Sequence, residues 1–146
     1  MRVERSISDM LMDLFREMGA LEKKAIITEK FEDISRNDMH IINAIGSSMD
    51  NTMSKVAKKL GITAGSLTTS VNNLVNKKYI SRERGESDRR RVYIYLTEKG
   101  QKAYQSYVSF HGKLSSTLLN SVKEEEVSVL MKALNNVNDF LWKYKD

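Results

Sequence analysis

The chain of 146 residues contains no cysteine and no proline, and only seven of its residues are glycine. Without cysteine, a disulfide framework, a thiolate metal site and a thiol redox switch are excluded. The lack of proline and the scarcity of glycine are typical of a largely helical fold with few long loops. The length corresponds to about one domain, and a hydrophobic content of 40% is enough for its core.

Long apolar runs are also missing. None approaches the ~20 residues that a membrane-spanning helix needs, and the N-terminus lacks the apolar stretch and the cleavage site of a signal peptide. We therefore expect a cytoplasmic protein with no membrane partner. The sequence contains no phosphate-binding glycine loop, nucleophile motif or metal-ligand spacing, so we expect neither an enzyme nor a bound cofactor or metal.

Positive charge is concentrated in one third of the chain. The whole sequence carries +5, whereas residues 52–99 alone hold eleven basic and four acidic side chains and carry +7. Five of the nine arginines fall within ten residues: Arg82, Arg84, Arg89, Arg90 and Arg91. A surface that only has to be soluble spreads its charge, whereas a site for a polyanion concentrates it. A solvated charge run is the alternative interpretation.

Two helices are predicted before this basic region. In residues 3–30, apolar side chains recur at spacings of three and four, as one stripe of a long helix: Ile7, Met10, Leu11, Leu14, Met18, Leu21 and Ala25. Ser35, followed by Asp38 three residues later, predicts the N-cap of a second helix that ends at Gly46. Apolar side chains cover much of that helix, so we expect it to be well buried.

The segment from residue 54 to residue 80 predicts a helix-turn-helix. Ala57 is small where the two helices cross, Gly61 permits the positive φ angle of the turn, and Leu67 lies between the helices. We expect Ile62 to fill the turn and Thr63 to cap the second helix.

The outer face of that second helix is polar but uncharged. Leu67, Val71, Leu74 and Val75 form its inner stripe, and residues 62–76 contain no charged side chain, although solvated faces are usually rich in Glu and Lys. Small hydroxyls and amides match base edges and phosphates, which predicts DNA binding; an ordinary solvated helix is the alternative. Ser70 lies on this face, and the predicted DNA contacts of this region are Ser54, Ser66, Thr68, Thr69, Asn72, Asn73 and Lys77.

A hairpin is predicted after this helix. Segments 80–84 and 92–96 read as strands, the second by its alternating pattern, and Gly85 to Asp88 have the composition of a loop tip. Asp88 is unusual in so basic a loop, and we expect its carboxylate to pair with an arginine and to accept loop N–H groups. The predicted DNA contacts of the hairpin are Arg84, Arg89, Arg90 and Arg91, with Asp88 shaping the loop.

Two further helices follow, the first capped by Thr97 and the second starting near residues 121–124, with three glutamates in its first turn. The apolar stripes of the flanking helices cannot all be buried on one small domain, which predicts a homodimer with two recognition helices roughly 34 Å apart on a palindromic site. A monomer with a helical cap is the alternative. The predicted fold is mainly α with a β-hairpin wing: a single domain 1–146, with a winged helix-turn-helix at 35–96 and helical dimerisation regions at 1–34 and 97–146.

The order of elements and the segment SDRRRVYIYLTEKG resemble the MarR family of dimeric transcriptional regulators. The wing of that family carries an Asp-x-Arg signature before a Leu-Thr-x-Lys-Gly helix start, matched here by Asp88, Arg90 and residues 96–100. The resemblance implies a regulator, as a repressor, of double-stranded operator DNA. It also implies that Arg90 enters the minor groove, that Asp88 orders the wing and that helix 64–77 reads the major groove.

Three segments, FEDISRNDMHIINAIG, GSLTTSVNNLVNKKYI and FHGK, are more narrowly similar to the fatty-acid-biosynthesis repressors of Gram-positive bacteria within that family. This implies acyl-acyl carrier protein as the effector, with an acyl chain among the first, second and fifth helices. Residues 47–51 match nothing diagnostic, and Lys78 stands where related sequences commonly have glycine. A sensor of a small apolar, aromatic or drug-like ligand is one alternative, and a winged helix for protein or RNA contact is another.

His40 and His111 are the only histidines, and with Phe110 they form the candidate effector pocket. Three interpretations remain open for the pair. The histidines couple the pocket to helix orientation through a hydrogen bond, they ligate zinc with nearby carboxylates, or they are ordinary helical residues. The absence of cysteine and of a spaced acidic cluster disfavours zinc.

Overall fold

The structure, a computed structural model, describes residues 2–26 and 30–144, and the side chains among them except those of Arg2, Ala25 and Ile26. Ala25, which we assigned to the first apolar stripe, therefore lies outside the described side chains. In chain order the elements are α1 (Arg2–Ile26), α2 (Arg36–Ile45), α3 (Met53–Leu60), α4 (Ala64–Asn76), β1 (Ile80–Arg84), β2 (Val92–Leu96), α5 (Glu98–Asn120) and α6 (Val127–Trp142). This order confirms the predicted fold class, a mainly helical winged helix-turn-helix.

The chain divides into two compact units, Met1–Phe110 and His111–Asp146, with α5 running from the first into the second. The first unit contains α1 to α4 and the antiparallel hairpin of β1 and β2, in which Ile80 pairs with Leu96 and Arg84 with Val92. The second contains the end of α5, a 3₁₀ turn (Glu124–Glu126) and α6. None of the described helices is long and apolar enough to cross a membrane.

The core of the first unit is built around α2. Ser35 accepts from the backbone N–H of Asp38, whose carboxylate accepts in return from the N–H of Ser35, so the predicted capping box is present. Gly46 ends the helix at a φ of 57°. As predicted, α2 is well buried, and the core that it shares with the other elements consists of Phe31, Ile34, Met39, Ile41, Ile42, Ala44, Ile45, Val56, Ala57, Leu67, Val71, Leu74, Tyr79, Ile80, Ile94, Leu96 and Ala103.

The helix-turn-helix follows the predicted geometry except at one position. Gly61 adopts left-handed angles (φ 65°, ψ 38°), and Ala57 and Leu67 are buried between α3 and α4. The hydroxyl oxygen of Thr63 caps α4 by accepting from the N–H of Ser66. Ile62 does not fill the turn, because its side chain is 38% exposed; Ala57 and Leu67 already close the space between the helices, so that prediction is wrong.

The junction between α4 and α5 packs tightly around Tyr79, which is fully buried. A Cβ atom on Gly100 would overlap the carbonyl oxygen of Tyr79, so only glycine permits this approach. The Thr97 backbone N–H donates to the same carbonyl (3.0 Å), and the Thr97 hydroxyl accepts from the N–H of Gly100, the predicted cap of α5. The base of the hairpin is thereby attached directly to the helix that leaves the unit.

The flanking helices expose much of their apolar surface within one chain. On α1, Ile7, Met10, Leu14 and Leu21 are all about half exposed, and α6 has no buried residue. We expected the last helix to include the three glutamates in its first turn. Instead they form the 3₁₀ turn, and α6 begins at Val127, so this start was predicted too early. The backbone N–H of Lys123 donates to the Glu126 carboxylate (2.8 Å) and closes that turn.

Candidate nucleic-acid interface

The polar face of α4 is solvent-exposed along its length. Ser66, Thr68, Thr69, Asn72 and Asn73 are exposed, and Leu67, Val71 and Leu74 are buried beneath them. Two expectations need correction. Ser70 is half-buried rather than on the exposed face, because it lies at the edge of the inner stripe. The helix also ends at Asn76, so that Lys77 is its C-cap and not its last turn.

Hydrogen bonds within α4 decide what its hydroxyls can offer. The Thr68 hydroxyl donates to the Ala64 carbonyl (2.8 Å), and the Thr69 hydroxyl donates to the Gly65 carbonyl (3.2 Å). A hydroxyl has one proton, so both threonines present acceptor oxygens and methyl groups to solvent. Ser66 differs, because its oxygen accepts from the Thr63 hydroxyl (3.0 Å) and its own proton stays available.

Lys77 and Asn72 make contacts that the sequence did not indicate. The Lys77 ammonium donates to the backbone carbonyl of Asp33, just before α2. The Asn72 amide oxygen accepts from a guanidinium nitrogen of Arg82 on β1. The first contact joins residues 44 positions apart and the second joins residues ten positions apart, and neither could be read from helical periodicity.

We define the wing as residues 80–96. The carboxylate of Asp88 holds the loop at its tip. Its Oδ1 accepts from the Arg90 backbone N–H (3.0 Å) and from Nε of the same residue (3.1 Å), and Oδ2 lies 3.4 Å from Nη2. These bonds lower the pKa of Asp88 below its ordinary value. The bond from the Arg90 side chain is the larger cause, and the bond from the Arg90 backbone is the smaller one. The Arg90 side chain is nevertheless 91% exposed, so it projects into solvent while its base is held.

The loop of the wing is closed by its backbone. The Gly85 N–H donates to the Arg91 carbonyl (2.9 Å), and the Arg91 N–H donates to the Asp88 carbonyl (3.2 Å). A Cβ on Gly85 would lie only 2.7 Å from that Asp88 oxygen, so a larger residue would open the loop. Arg84, Arg89 and Arg91 are exposed around this closed loop, and together they make it a concentrated positive surface.

Ser54 and the wing meet across a cleft of about 610 Å³. Its walls are the first turn of α3, with Ser54 and Lys55, and the wing residues Arg90, Arg91 and Tyr93. Thr52 forms an isolated antiparallel β-bridge with Tyr93, and the Ile94 N–H donates to the backbone carbonyl of the buried Asn51 (2.9 Å). The segment before α3 therefore lies along β2. The structure thus brings the predicted residue Ser54 beside Arg90, whereas the polar face of α4 meets the wing through the contact of Asn72 with Arg82.

A buried acidic residue, Glu22 on α1, was missed by the sequence reasoning. It is 2% exposed, and its carboxylate lies 3.1 Å from Arg36 Nε and 3.2 Å from His40 Nε2. Glu22 stands four residues after Met18, inside the apolar stripe of α1, and that misplaced charge is the signal that could have revealed it. The imidazole of His40 also meets the ring of Tyr107 edge-on, with centroids 6.1 Å apart.

The candidate effector residues are distributed over both units, and their assignment to a pocket stays a prediction. His40 belongs to the Glu22 cluster, by which we mean Glu22, Arg36 and His40. Beside His40, burial is the main cause that raises the pKa of Tyr107, and the charge of Glu22 adds to it. Phe110 is partly buried against the core of the first unit, and His111 begins the second unit. Within residues 2–26 and 30–144, no three His, Asp or Glu side chains are grouped as a metal site would require.

Comparisons with known proteins agree with this geometry. The chain is similar to the DNA-bound Streptococcus pneumoniae regulator FabT, at 37% identity and a TM-score of 0.84 over 97% of this chain and 99% of that one. It is also similar to the DNA-bound MepR of Staphylococcus aureus, at 25% identity and a TM-score of 0.69 over 90% and 96% of the two chains. The Bacillus subtilis transcriptional repressor YetL is 23% identical over 141 residues, which are 92% of this chain and 84% of that protein.

The family model described as "Transcriptional regulator SarA/Rot" matches residues 22–107, from Glu22 on α1 to Tyr107 on α5. The match covers more than half of the chain and includes the helix-turn-helix and the whole wing. The chain therefore belongs to the SarA/Rot transcriptional regulators, a family of MarR-like winged-helix proteins.

Proposed function

We propose that this regulator binds double-stranded operator DNA, with α4 in the major groove and the wing at the adjacent minor groove. The observation that carries the proposal is the juxtaposition of an exposed, uncharged polar helix face with a closed arginine loop. Helix α4 contributes base contacts through Ser66, Thr68 and Thr69. The arginines of the wing contact phosphates, and Arg90 contacts the groove. The DNA-bound relatives with the same fold support this arrangement.

The proposal also includes a homodimer on a palindromic site, within a single 146-residue domain whose helices at 1–34 and 97–146 form the dimer contacts. Its support is the exposed apolar surface of each unit taken separately. On α1 this surface includes Val3, Ile7, Met10, Leu14 and Phe15, and on α6 it includes Val129, Met131, Leu134, Phe140 and Leu141. Monomeric proteins rarely expose so many large apolar side chains in continuous stripes.

The salt dependence of binding tests whether DNA is the partner. If two copies contact phosphates through both wings and both α4 helices, several counterions are released, and log K should fall steeply with log salt. Fluorescence anisotropy with a palindromic duplex selected from random DNA, over roughly 50–200 mM salt, measures this slope. A flat response, or equal affinity for single-stranded RNA, would favour the alternative of a winged helix used for protein or RNA contact.

Residues that contact the DNA backbone and residues that contact base edges should give different results in the same assay. Lys77 lies at the end of α4 and Asn73 one turn earlier, where we expect contacts to the DNA backbone. Lys77→Ala should weaken binding to specific and to random duplexes about equally. Thr69→Ala should instead change preference at particular base pairs by about 1–3 kcal/mol. If sites selected by Thr69→Ala reproduce the original consensus, Thr69 is not a reading residue.

The proposed effector is acyl-acyl carrier protein, and the proposed role is repression of fatty-acid synthesis genes. This part rests on the resemblance of the three segments around α2, α4 and Phe110. Long-chain acyl-acyl carrier protein should tighten operator binding, while the unacylated carrier protein, the matched control, should not. The alternative, a sensor of small aromatic or drug-like ligands, would be favoured if such compounds alter the affinity and the acylated protein does not. In that case His40→Ala shows whether the Glu22 cluster takes part in the response.

A further inference from the structure

The contact between Arg82 and Asn72 joins the wing to the recognition helix. Arg82 lies on β1, where it pairs in register with Ile94 of β2. Its guanidinium donates through Nη1 to the amide oxygen of Asn72 on α4. Asn72 stands three residues after Thr69 and four after Thr68, so helical spacing places all three on the exposed face of α4. One end of this contact is therefore among the residues that we place in the major groove.

Hydrogen-bond chemistry fixes the orientation of the Asn72 amide. A guanidinium contains only donors, whereas the amide has an acceptor oxygen at one end and an NH₂ donor at the other. Asn72 must therefore turn Oδ1 towards Arg82, and Nδ2 faces elsewhere with two protons to donate. Among the described residues, none accepts a hydrogen bond from that nitrogen.

The orientation matters because an unrestrained asparagine reads adenine. Its amide donates to N7 of adenine and accepts from the N6 amino group, which is a bidentate contact that needs both ends of the amide. Because Arg82 draws Oδ1 towards the wing, the NH₂ end of the amide is the one turned to the groove. An NH₂ group with two protons suits guanine, which presents two acceptors there, N7 and O6, whereas adenine presents N7 beside an N6 amino donor and thymine presents O4 alone.

We propose that Arg82 is a specificity-determining residue: by holding Oδ1 of Asn72 towards the wing, it turns the NH₂ end of this asparagine to the groove and makes it favour guanine over adenine. The proposal rests on the DNA binding by α4 proposed above. Thr68 and Thr69, whose hydroxyls present acceptors, provide the opposite preference one turn earlier on the same face. The helix would thus offer donors and acceptors at separate, fixed positions.

Selection of binding sites from random duplexes by the full-length protein tests this assignment. The test variant is Arg82→Met, which removes the donor and keeps an unbranched side chain. Arg84→Met is the matched control, because it removes the same charge from the same strand two residues away. We expect Arg82→Met to raise the selection of adenine relative to guanine by about tenfold at one position in each half-site. Arg84→Met should bind more weakly and keep the original preference.

Asn72 variants test the same assignment from the other end. Asn72→Asp retains an acceptor for Arg82 but loses both N–H donors, so the preference for guanine at that position should disappear. The double variant Arg82→Met/Asn72→Ala should lose the gain in adenine. Both residues are exposed, and thermal melting of each variant identifies any that does not fold; the Asn72 variants still decide the question if Arg82→Met does not.

Three results would overturn the assignment. An unchanged base preference in folded Arg82→Met overturns it while leaving DNA binding by α4 intact. The same holds if Asn72→Asp keeps the original preference. If the unaltered protein selects no sequence and shows no salt-dependent affinity, the proposed function fails, and the role of Arg82 fails with it.

Discussion

Lys78 occupies backbone angles that disfavour its own side chain. It has a φ of 73°, and it is the one residue other than glycine with a positive φ among those described. The turn after α4 requires this conformation, because the Lys78 N–H donates to Val75 (3.0 Å) and its carbonyl accepts from the Thr97 hydroxyl (2.6 Å). This left-handed conformation favours glycine, the residue that the family resemblance led us to expect at this position.

Replacing Lys78 with glycine should stabilise the protein. Relief of the left-handed strain, which is about 1–2 kcal/mol for an L-residue, exceeds the extra chain entropy of glycine. We expect the free energy of unfolding to rise by about 0.5–1 kcal/mol, measured by urea denaturation. Lys78→Ala is the control, since it removes the side chain without relieving φ, and it should give no gain. Equal effects of the two variants would contradict this explanation.

Asp33 is the residue whose ionisation should contribute to stability at neutral pH. It accepts a hydrogen bond from the Tyr79 hydroxyl (2.6 Å), and Lys99 lies 3.8 Å from its carboxylate. The hydrogen bond from Tyr79 is the main cause that lowers the pKa of Asp33, with a smaller contribution from the charge of Lys99. Burial, aided by the same hydrogen bond, raises the pKa of Tyr79 above its ordinary range, so the phenol remains a donor.

The sign of the pH dependence follows from the lowered pKa. The stabilisation by Asp33 is present above the pKa of an unfolded aspartate, about 3.9, and is lost as the pH falls through the lower folded value. Asp33→Asn should therefore be less stable than the unaltered protein at pH 7, by at most about 1 kcal/mol because the carboxylate is 44% exposed. The difference should shrink as the pH falls below the unfolded pKa and vanish once the pH is below the lowered folded pKa of Asp33. Glu32→Gln, an exposed neighbour, should show no such trend in urea titrations.

At the scale of single elements, the wing depends on one pair of side chains. Asp88 lies near phosphates in the proposed complex, where its charge is unfavourable, yet it holds the backbone and the guanidinium of Arg90. A wing that acts only by charge and a wing that must be shaped make opposite predictions for the loss of Asp88. In the first case operator binding tightens, and in the second it weakens.

We expect Arg90→Ala and Asp88→Ala each to weaken operator binding, by about tenfold or more for Arg90. Their effects should be non-additive, because both act on one unit. Glu86→Ala, in the same loop, removes the same charge without a contact to Arg90, and it should leave binding unchanged or slightly tighter. Anisotropy titrations of the three single variants and the double variant decide the matter. Tighter binding by Asp88→Ala would contradict the shaped wing and would mean that the wing acts only as a basic patch.

Elements with local signals were predicted closely. Both strands have the predicted bounds, because side-chain alternation in β2 and a loop rich in turn-forming residues are encoded within twenty residues. The caps Ser35, Thr63 and Thr97 were likewise found, since each acts on an N–H only three residues away. The start of α6 was not, because the three glutamates are compatible with both an α-helical and a 3₁₀ first turn.

At the scale of the whole molecule, the exposed apolar stripes predict assembly. Leu134 on α6 is 49% exposed, and Asn136 lies on the opposite face of the same helix by its spacing. Leu134→Glu should convert the dimer to a monomer at micromolar concentration, in sedimentation velocity, and should make the melting temperature independent of protein concentration. Asn136→Glu adds the same charge and should remain dimeric. A monomeric unaltered protein would refute the proposed dimer.

The sequence by itself determined the elements, their order and the concentration of charge, because periodicity, caps and composition act over a few neighbouring residues. It also marked Asp88 and Arg90 as a unit, since only one residue lies between them and the carboxylate can reach its partner within the loop. The family was recognisable for the same reason: its wing signature is a local pattern. These predictions did not need a tertiary fold.

Only the tertiary structure decided which polar groups meet across distance. Glu22 lies 14 residues before Arg36, Asp33 lies 46 before Tyr79, and Arg82 meets Asn72 only because the wing folds back along α4. The burial of Tyr79 and the exposure of Ile62 are likewise set by neighbours from several elements. Helical spacing specifies which face a residue occupies but not what is packed against that face, and partners of this kind exist only once the elements have come together.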